Sequence, residues 1–112
     1  KIQDKLVFKS KNCYRVDIRK HYKQENKKTI TIPYEENDND YYWFHMPEPY
    51  QDLFFIVPEK IMIKYGFVST KKNKGRVSIN IYIDEKKTTL SQFIHDYKFD
   101  YKYITKNTKL FL

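Results

Sequence analysis

The stretch DLFFIVPEKIMIKYGFV, residues 52–68, carries the change of period on which the fold reading turns. It begins as an unbroken apolar run between Asp52 and Pro58. A run without polar alternation is the pattern of a central strand covered on both faces. After Pro58 the period lengthens. Ile61, Met62 and Tyr65 fall at i, i+1 and i+4, one face of a helix. Pro58 suits the first helical position and Glu59 the positive end of the helix dipole. Gly66 is a natural C-terminal stop. The sequence therefore predicts a strand over 52–58 and a helix of about two turns ending at Gly66.

Working outward, strands dominate. Residues 2–8 read as a strand, and CYRVDIR (13–19) alternates Tyr14, Val16 and Ile18 against Arg15, Asp17 and Arg19. The short polar link between them predicts an antiparallel hairpin. KHYKQENKK (20–28) reads as a charged loop. TITIPY (29–34) is a β-branched run that Pro33 confines to an edge or a strand end. EENDND (35–40) is a turn rich in Asx residues, and YYWFHM (41–46) is an aromatic strand. Downstream, RVSINIYI (76–83) alternates cleanly. Thr88 or Thr89 is placed to cap a helix with Leu90, Phe93, Ile94 and Tyr97 on one stripe. After Lys98, FDYKYI fits a strand or a helix extension. The expected fold class is α+β, a mostly antiparallel mixed sheet of five to six strands with two short helices packed on one face.

The chain has 112 residues, the size of one domain with a core of its own. It opens without an initiator methionine on a strand-like segment. The expectation is a single domain, 1–112, excised from a longer protein. A lone cysteine, Cys13, excludes an internal disulfide and fits a reducing compartment, so an intracellular place, nuclear or cytoplasmic, is expected. No apolar run is long enough to span a membrane, and no signal peptide is visible.

Charge is sorted along the chain. Residues 1–32 carry a net +7, residues 33–59 a net −7 with no Lys or Arg, and residues 60–112 a net +8. Two basic blocks flank an acidic one, a pattern that points to a polyanion partner. The basic residues that would track a phosphate backbone are Lys9, Lys11, Arg15, Arg19, Lys20, Lys23, Lys27 and Lys28 in the first block. Lys71, Lys72, Lys74 and Arg76 do so in the second, where Gly75 would permit close backbone approach. Lysine outnumbers arginine 19 to 3. Lysine meets phosphate as a point charge, whereas base reading favours Arg, Asn or Gln. Much of the lysine content also fits an AT-rich coding bias and plain solvated surface.

Other chemistries find little support. His21, His45 and His95 lack metal-ligand spacing, and one cysteine makes no zinc pattern. EENDND lacks the glycine and distal Glu of a calcium loop. No glycine-rich phosphate loop is present. No metal site is expected from the residues themselves. Tyr41 and Trp43 share one face of their strand and offer either a stacking surface for bases or a packing surface.

The motifs KIQDKLVF, CYRVDIRK, the acidic turn, DLFFIVPEKIMIKYGFV and GRVSINIYI, taken in this order, resemble the later half of a PD-(D/E)xK nuclease-like domain. The resemblance covers about residues 2–83. In that superfamily one strand carries Asp/Glu-x-Lys, and some members place Gln where the acid stands. The resemblance therefore implies Gln3 and Lys5 as the catalytic positions, and period 2 places them on one strand face. The superfamily's first catalytic acid lies on a preceding strand, and only two residues precede Gln3. The resemblance thus implies a nuclease-like site that is incomplete in this chain, with Mg²⁺ a cofactor only if residues from elsewhere complete it.

The function expected from the sequence is a nucleic-acid-binding module of nuclease-like fold, with DNA favoured over RNA, no membrane, and no cofactor. Two alternatives stand beside it. One is a metal-dependent nuclease domain completed by residues outside this chain, in a larger parent protein or a homodimer. The other is a protein-interaction or dimerisation domain that uses the acidic aromatic block 33–59.

Overall fold

The computed structural model describes residues 1–23, 25, 28–84 and 89–102, and of Tyr22 and Lys23 the backbone alone. The order is β1 (Ile2–Leu6), β2 (Phe8–Lys9), β3 (Tyr14–Asp17), β4 (Arg19–Lys23), β5 (Thr29–Pro33), β6 (Tyr41–His45), β7 (Leu53–Pro58), α1 (Glu59–Lys64), β8 (Ser78–Ile81), a 3₁₀ helix (Gln92–Tyr97) and β9 (Lys98–Asp100). The class is α+β, as expected. The strands do not make one sheet of five to six. They form a four-stranded sheet β1-β6-β7-β9, a three-stranded sheet β2-β3-β8 and a two-stranded ribbon β4-β5.

The division starts at Val7. Its N–H closes the parallel β1–β6 ladder on the His45 carbonyl at 2.8 Å, and its side chain turns into the core. The expected first strand is thereby split. β1 joins the central sheet, and β2 alone forms the antiparallel hairpin with β3. The second correction is the segment 20–28. Arg19–Lys23 is a strand, not a loop, and it pairs antiparallel with β5, with Lys20 opposite Ile32. An exposed ribbon tolerates charge on its strands, and the β-branched TITI partner supplies the pairing preference.

β7 runs between β6 and β9, the central place its apolar run predicts. Pro58 is its last residue rather than the first of the helix. It caps α1 in an extended conformation (ψ 145°), and the Glu59 N–H bonds the Asp40 carbonyl at 3.0 Å. Gly66, at φ 81°, ends the helix as expected, with its N–H on the Ile63 carbonyl. The later helix is a short 3₁₀ turn with Ser91 at its start, Leu90 stays exposed, and Thr88 lies outside the described residues. β8 is shorter than 76–83 because only Ile79 and Ile81 bury, while Val77 and Ile83 reach solvent. Residues 98–100 are a strand, paired with β7.

One core holds these pieces together. Tyr42 and Phe44 of β6 and Phe55 and Val57 of β7 face Met62 of α1 and Ile94 of the 3₁₀ helix. Val16, Ile18, Ile79 and Ile81 close it from the second sheet. Burying each such side chain contributes about 1.5–3 kcal/mol. Both short helices meet the same core, and Tyr65 stacks on Phe93 with centroids 4.2 Å apart. The opposite face of the four-stranded sheet carries an aromatic row in which Phe54 stacks on Trp43 and Phe99 and Trp43 stacks on His45. No helix among the described residues is long and apolar enough to cross a membrane.

Candidate nucleic-acid interface

Gln3 and Lys5 do share a face of β1, and that face looks inward. Their neighbours across the parallel ladder are Tyr42 and Phe44. Both are half-buried, and the Lys5 ammonium sits 5.3 Å from the centre of the Tyr34 ring. Asp4 points the other way and meets His45 Nε2 at 3.3 Å. The Gln3–Lys5 face adjoins the phenols of Tyr42 and Tyr34, and the carboxylates of Glu59 and Asp38 act on Tyr42. Burial pushes the Tyr42 phenol well above its ordinary value. The Asn39 amide pulls the other way, and Glu59 and Asp38 push upward again. By distance and angle neither the Tyr42 hydroxyl nor the polar atoms of the Asn39 side chain complete a hydrogen bond, although the Asn39 amide is near enough to act on the phenol. Among the described residues no three Asp, Glu, His or Cys side chains converge to hold a metal. A divalent ion needs several oxygen donors, carboxylates above all. Among the described residues the side chains around Gln3 and Lys5 do not make such a set.

Much of the acidic block is engaged inside the molecule, while Glu36 and Glu48 are exposed. Lys20 reaches Asp38 at 2.7 Å and Glu35 at 3.0 Å. The hydrogen bond to Asp38 leads in raising the Lys20 ammonium above its ordinary value. Burial alone would raise the Asp38 carboxyl, but the Lys20 ammonium and the Glu35 N–H outweigh it and hold Asp38 low. Glu59 accepts two backbone N–H groups of the same turn, and Asp52 meets Lys102 at 3.4 Å. Lys20 is therefore a tie between β4 and the acidic turn.

The remaining basic positions separate into two groups, apart from Lys23, Lys27 and Lys28. Lys71, Lys72 and Lys74 are exposed on a tight loop and make no ion pair among the described residues. Thr70 Oγ1 builds that loop by accepting the N–H groups of Lys72 and Asn73, and Ser69 Oγ accepts that of Gly75. A Cβ on Gly75 would lie 2.6 Å from the Phe67 carbonyl oxygen, so the bare Cα lets the loop pack closely on its own chain. The second group lies on and beside the β2-β3-β8 sheet, with Arg19 at the start of β4 and Arg76 two residues before β8. Arg15 is opposite Phe8 and Asn80, and its Nε donates to Asn80 Oδ1 at 3.2 Å. Arg19 meets Asp17 at 3.3 Å, and Arg76 leans over the Phe67 ring. Lys9 lies over Tyr14, and Lys11 is exposed in the β2–β3 turn. Lys28 is exposed just before β5, Lys23 ends β4, and Lys27 lies outside the described residues. Sequence reasoning passed over Phe8 and Asn80. Asn80 stood in plain view on the polar side of the cleanest strand, but its nearness to Arg15 depends on a pairing 65 residues apart.

No protein-family model matches the chain, and no curated protein matches it. Solved structures do. The fold is similar to that of MepB in its crystal structure, with a TM-score of 0.71 and 19% identity over 88% of this chain and 70% of that one. It is also similar to a bacterial homing endonuclease, I-Ssp6803I, with a TM-score of 0.57 and 22% identity over 97% of this chain and 66% of that one. The chain thus spans about two thirds of the endonuclease's length. At these identities the likeness is one of fold, and the fold is shared with a nuclease.

Proposed function

We propose that this chain is a nucleic-acid-binding module of nuclease-like fold, with duplex DNA its preferred partner, in the manner of a PD-(D/E)xK domain that lacks a full catalytic set. One observation carries the reading. Carboxylates of the acidic block are engaged by Lys20, Lys102 and backbone N–H groups, while Lys71, Lys72 and Lys74 project from a tight loop with no ion pair among the described residues. These three lysines are exposed cations left to a partner, on a loop whose Lys71 shares a pocket with the exposed Glu35 and Glu36, and exposed lysines bind phosphate by releasing its counterions. The homing endonuclease likeness supports the same class of partner. The test is fluorescence anisotropy of labelled DNA duplex, DNA single strand and RNA duplex titrated with the chain. The reading expects the DNA duplex to bind most tightly, and no binding to any of the three at low salt would overturn it.

A second reading is favoured by the aromatic face of the four-stranded sheet, where Ile2, Leu6, Tyr41 and Phe99 are exposed around Trp43. Such a face suits association with another protein surface or a second copy. Sedimentation of the wild type and Trp43→Ala tests it. A concentration-dependent dimer that disappears in the variant supports this reading, and a monomer at all concentrations excludes the second copy.

A further inference from the structure

We infer that the outer face of β2, β3 and β8 reads base edges in the major groove of duplex DNA. The inference rests on the nucleic-acid-binding reading above and names its surface. The chain has three arginines among 22 basic residues, and all three border this one face. The antiparallel register sets Arg15 opposite Asn80 and Asp17 opposite Ser78. The Ile18 N–H bonds the Val77 carbonyl at 3.0 Å, which carries the ladder one step further and brings Arg76 level with Arg19. Arg76, Ser78 and Asn80 line one shallow pocket, so they share a side. Arg15, Arg19, Arg76 and Asn80 are all exposed. The only acid on the three strands, Asp17, is paired with Arg19.

The row Phe8–Arg15–Asn80 contains three kinds of side chain suited to base edges. An arginine fork matches guanine O6 and N7, an Asn amide matches adenine N6 and N7, and an apolar ring packs on the thymine methyl. The Arg15 Nε bond to Asn80 Oδ1 orients the guanidinium while its two terminal nitrogens keep no partner among the described residues. The major groove is about 12 Å wide and admits two neighbouring strands about 4.8 Å apart, here β3 and β8. Lysines stand at both ends of this pair. Lys9, opposite Tyr14, turns to the other face, whereas Lys11 is in the β2–β3 turn and Lys71, Lys72 and Lys74 precede β8. These are the places from which phosphates on either side of a groove are reached. An RNA duplex is excluded as the preferred partner, because its major groove is too narrow for side chains to read.

The test selects binders from a pool of DNA duplexes with a randomised centre, using the whole chain. Wild type is expected to enrich a short motif containing guanine. Arg15→Lys keeps the charge and loses the fork. It is expected to weaken binding to the selected duplex by about tenfold or more, and to leave the unselected pool within about twofold. A selected duplex carrying 7-deazaguanine removes the N7 acceptor without any change to the protein, and is expected to weaken wild-type binding similarly. Duplex binding with no enriched sequence, or no effect of 7-deazaguanine, overturns this inference and leaves the proposed function standing. No duplex binding at all overturns both.

Discussion

The carboxylate of Glu59, at the start of α1, accepts the backbone N–H groups of Asn37 at 2.7 Å and Asn39 at 3.1 Å. It pins the acidic turn to the helix start, and Asn37 holds a left-handed φ of 76° within that turn. An amide in its place keeps one acceptor and sets a donor against a backbone donor. Glu59→Gln is therefore expected to cost about 1–3 kcal/mol, read as a lower urea midpoint at unchanged slope. A midpoint equal to wild type would show that the turn holds without this bond pair.

The Lys20–Asp38 tie has a pH signature. Asp38 is held below its ordinary value, so its contribution is present above the unfolded carboxyl value and is lost as pH falls through the folded one, below about pH 4. Lys20 is raised, so its share is complete below the unfolded amine value and fades only above it. Asp38→Asn is expected to lower stability by about 0.5–1 kcal/mol at pH 7 and to converge on wild type in acid. Parallel stability curves between acid and neutral pH would contradict this.

Tyr42 offers the opposite test. Its hydroxyl is buried beside the Asn39 amide without a well-formed hydrogen bond, so Tyr42→Phe is expected to be neutral or to stabilise by up to about 1 kcal/mol near neutral pH. Burial also raises the phenol, so ionisation in the unfolded chain destabilises the native state above about pH 10. That alkaline loss should shrink in the Phe variant. A loss of about 2 kcal/mol or more at neutral pH would mean that the hydroxyl has a bonded partner after all.

Gly75 is a packing prediction. A Cβ there would press on the backbone of Phe67 and Ser69 at 2.6 and 2.7 Å. Gly75→Ala is expected to cost about 1–3 kcal/mol and to loosen the loop that bears Lys71, Lys72 and Lys74. A lower melting temperature together with weaker DNA binding is the expected pair of observations. An unchanged melting temperature would mean that the loop relaxes freely.

Much of the fold was legible where side-chain period met burial. The run 53–57 announced β7, the 3.6 period announced α1, and Gly66 announced its end. What was hidden follows from pairing at long range. Nothing in KIQDKLVF says that Val7 divides it between two sheets, because both halves are good strand. KHYK reads as loop because charge is the usual mark of one, yet the ribbon that Arg19–Lys23 forms with TITIP needs no buried face. The candidate interface was legible only as a set of basic residues. That Lys20 belongs to Glu35 and Asp38, and that Arg15 belongs with Asn80, depends on contacts between segments far apart in the chain.

The most direct test of the central claim is the salt dependence of binding to a DNA duplex, measured by anisotropy for wild type and for the Lys71→Ala, Lys72→Ala, Lys74→Ala triple variant. The account predicts that log K falls linearly with log salt, and that the triple variant binds more weakly. Its slope should be shallower by about 0.9 for each phosphate that the variant no longer neutralises. A wild type that ignores duplex DNA at low salt, or a triple variant with the wild-type slope, would contradict it.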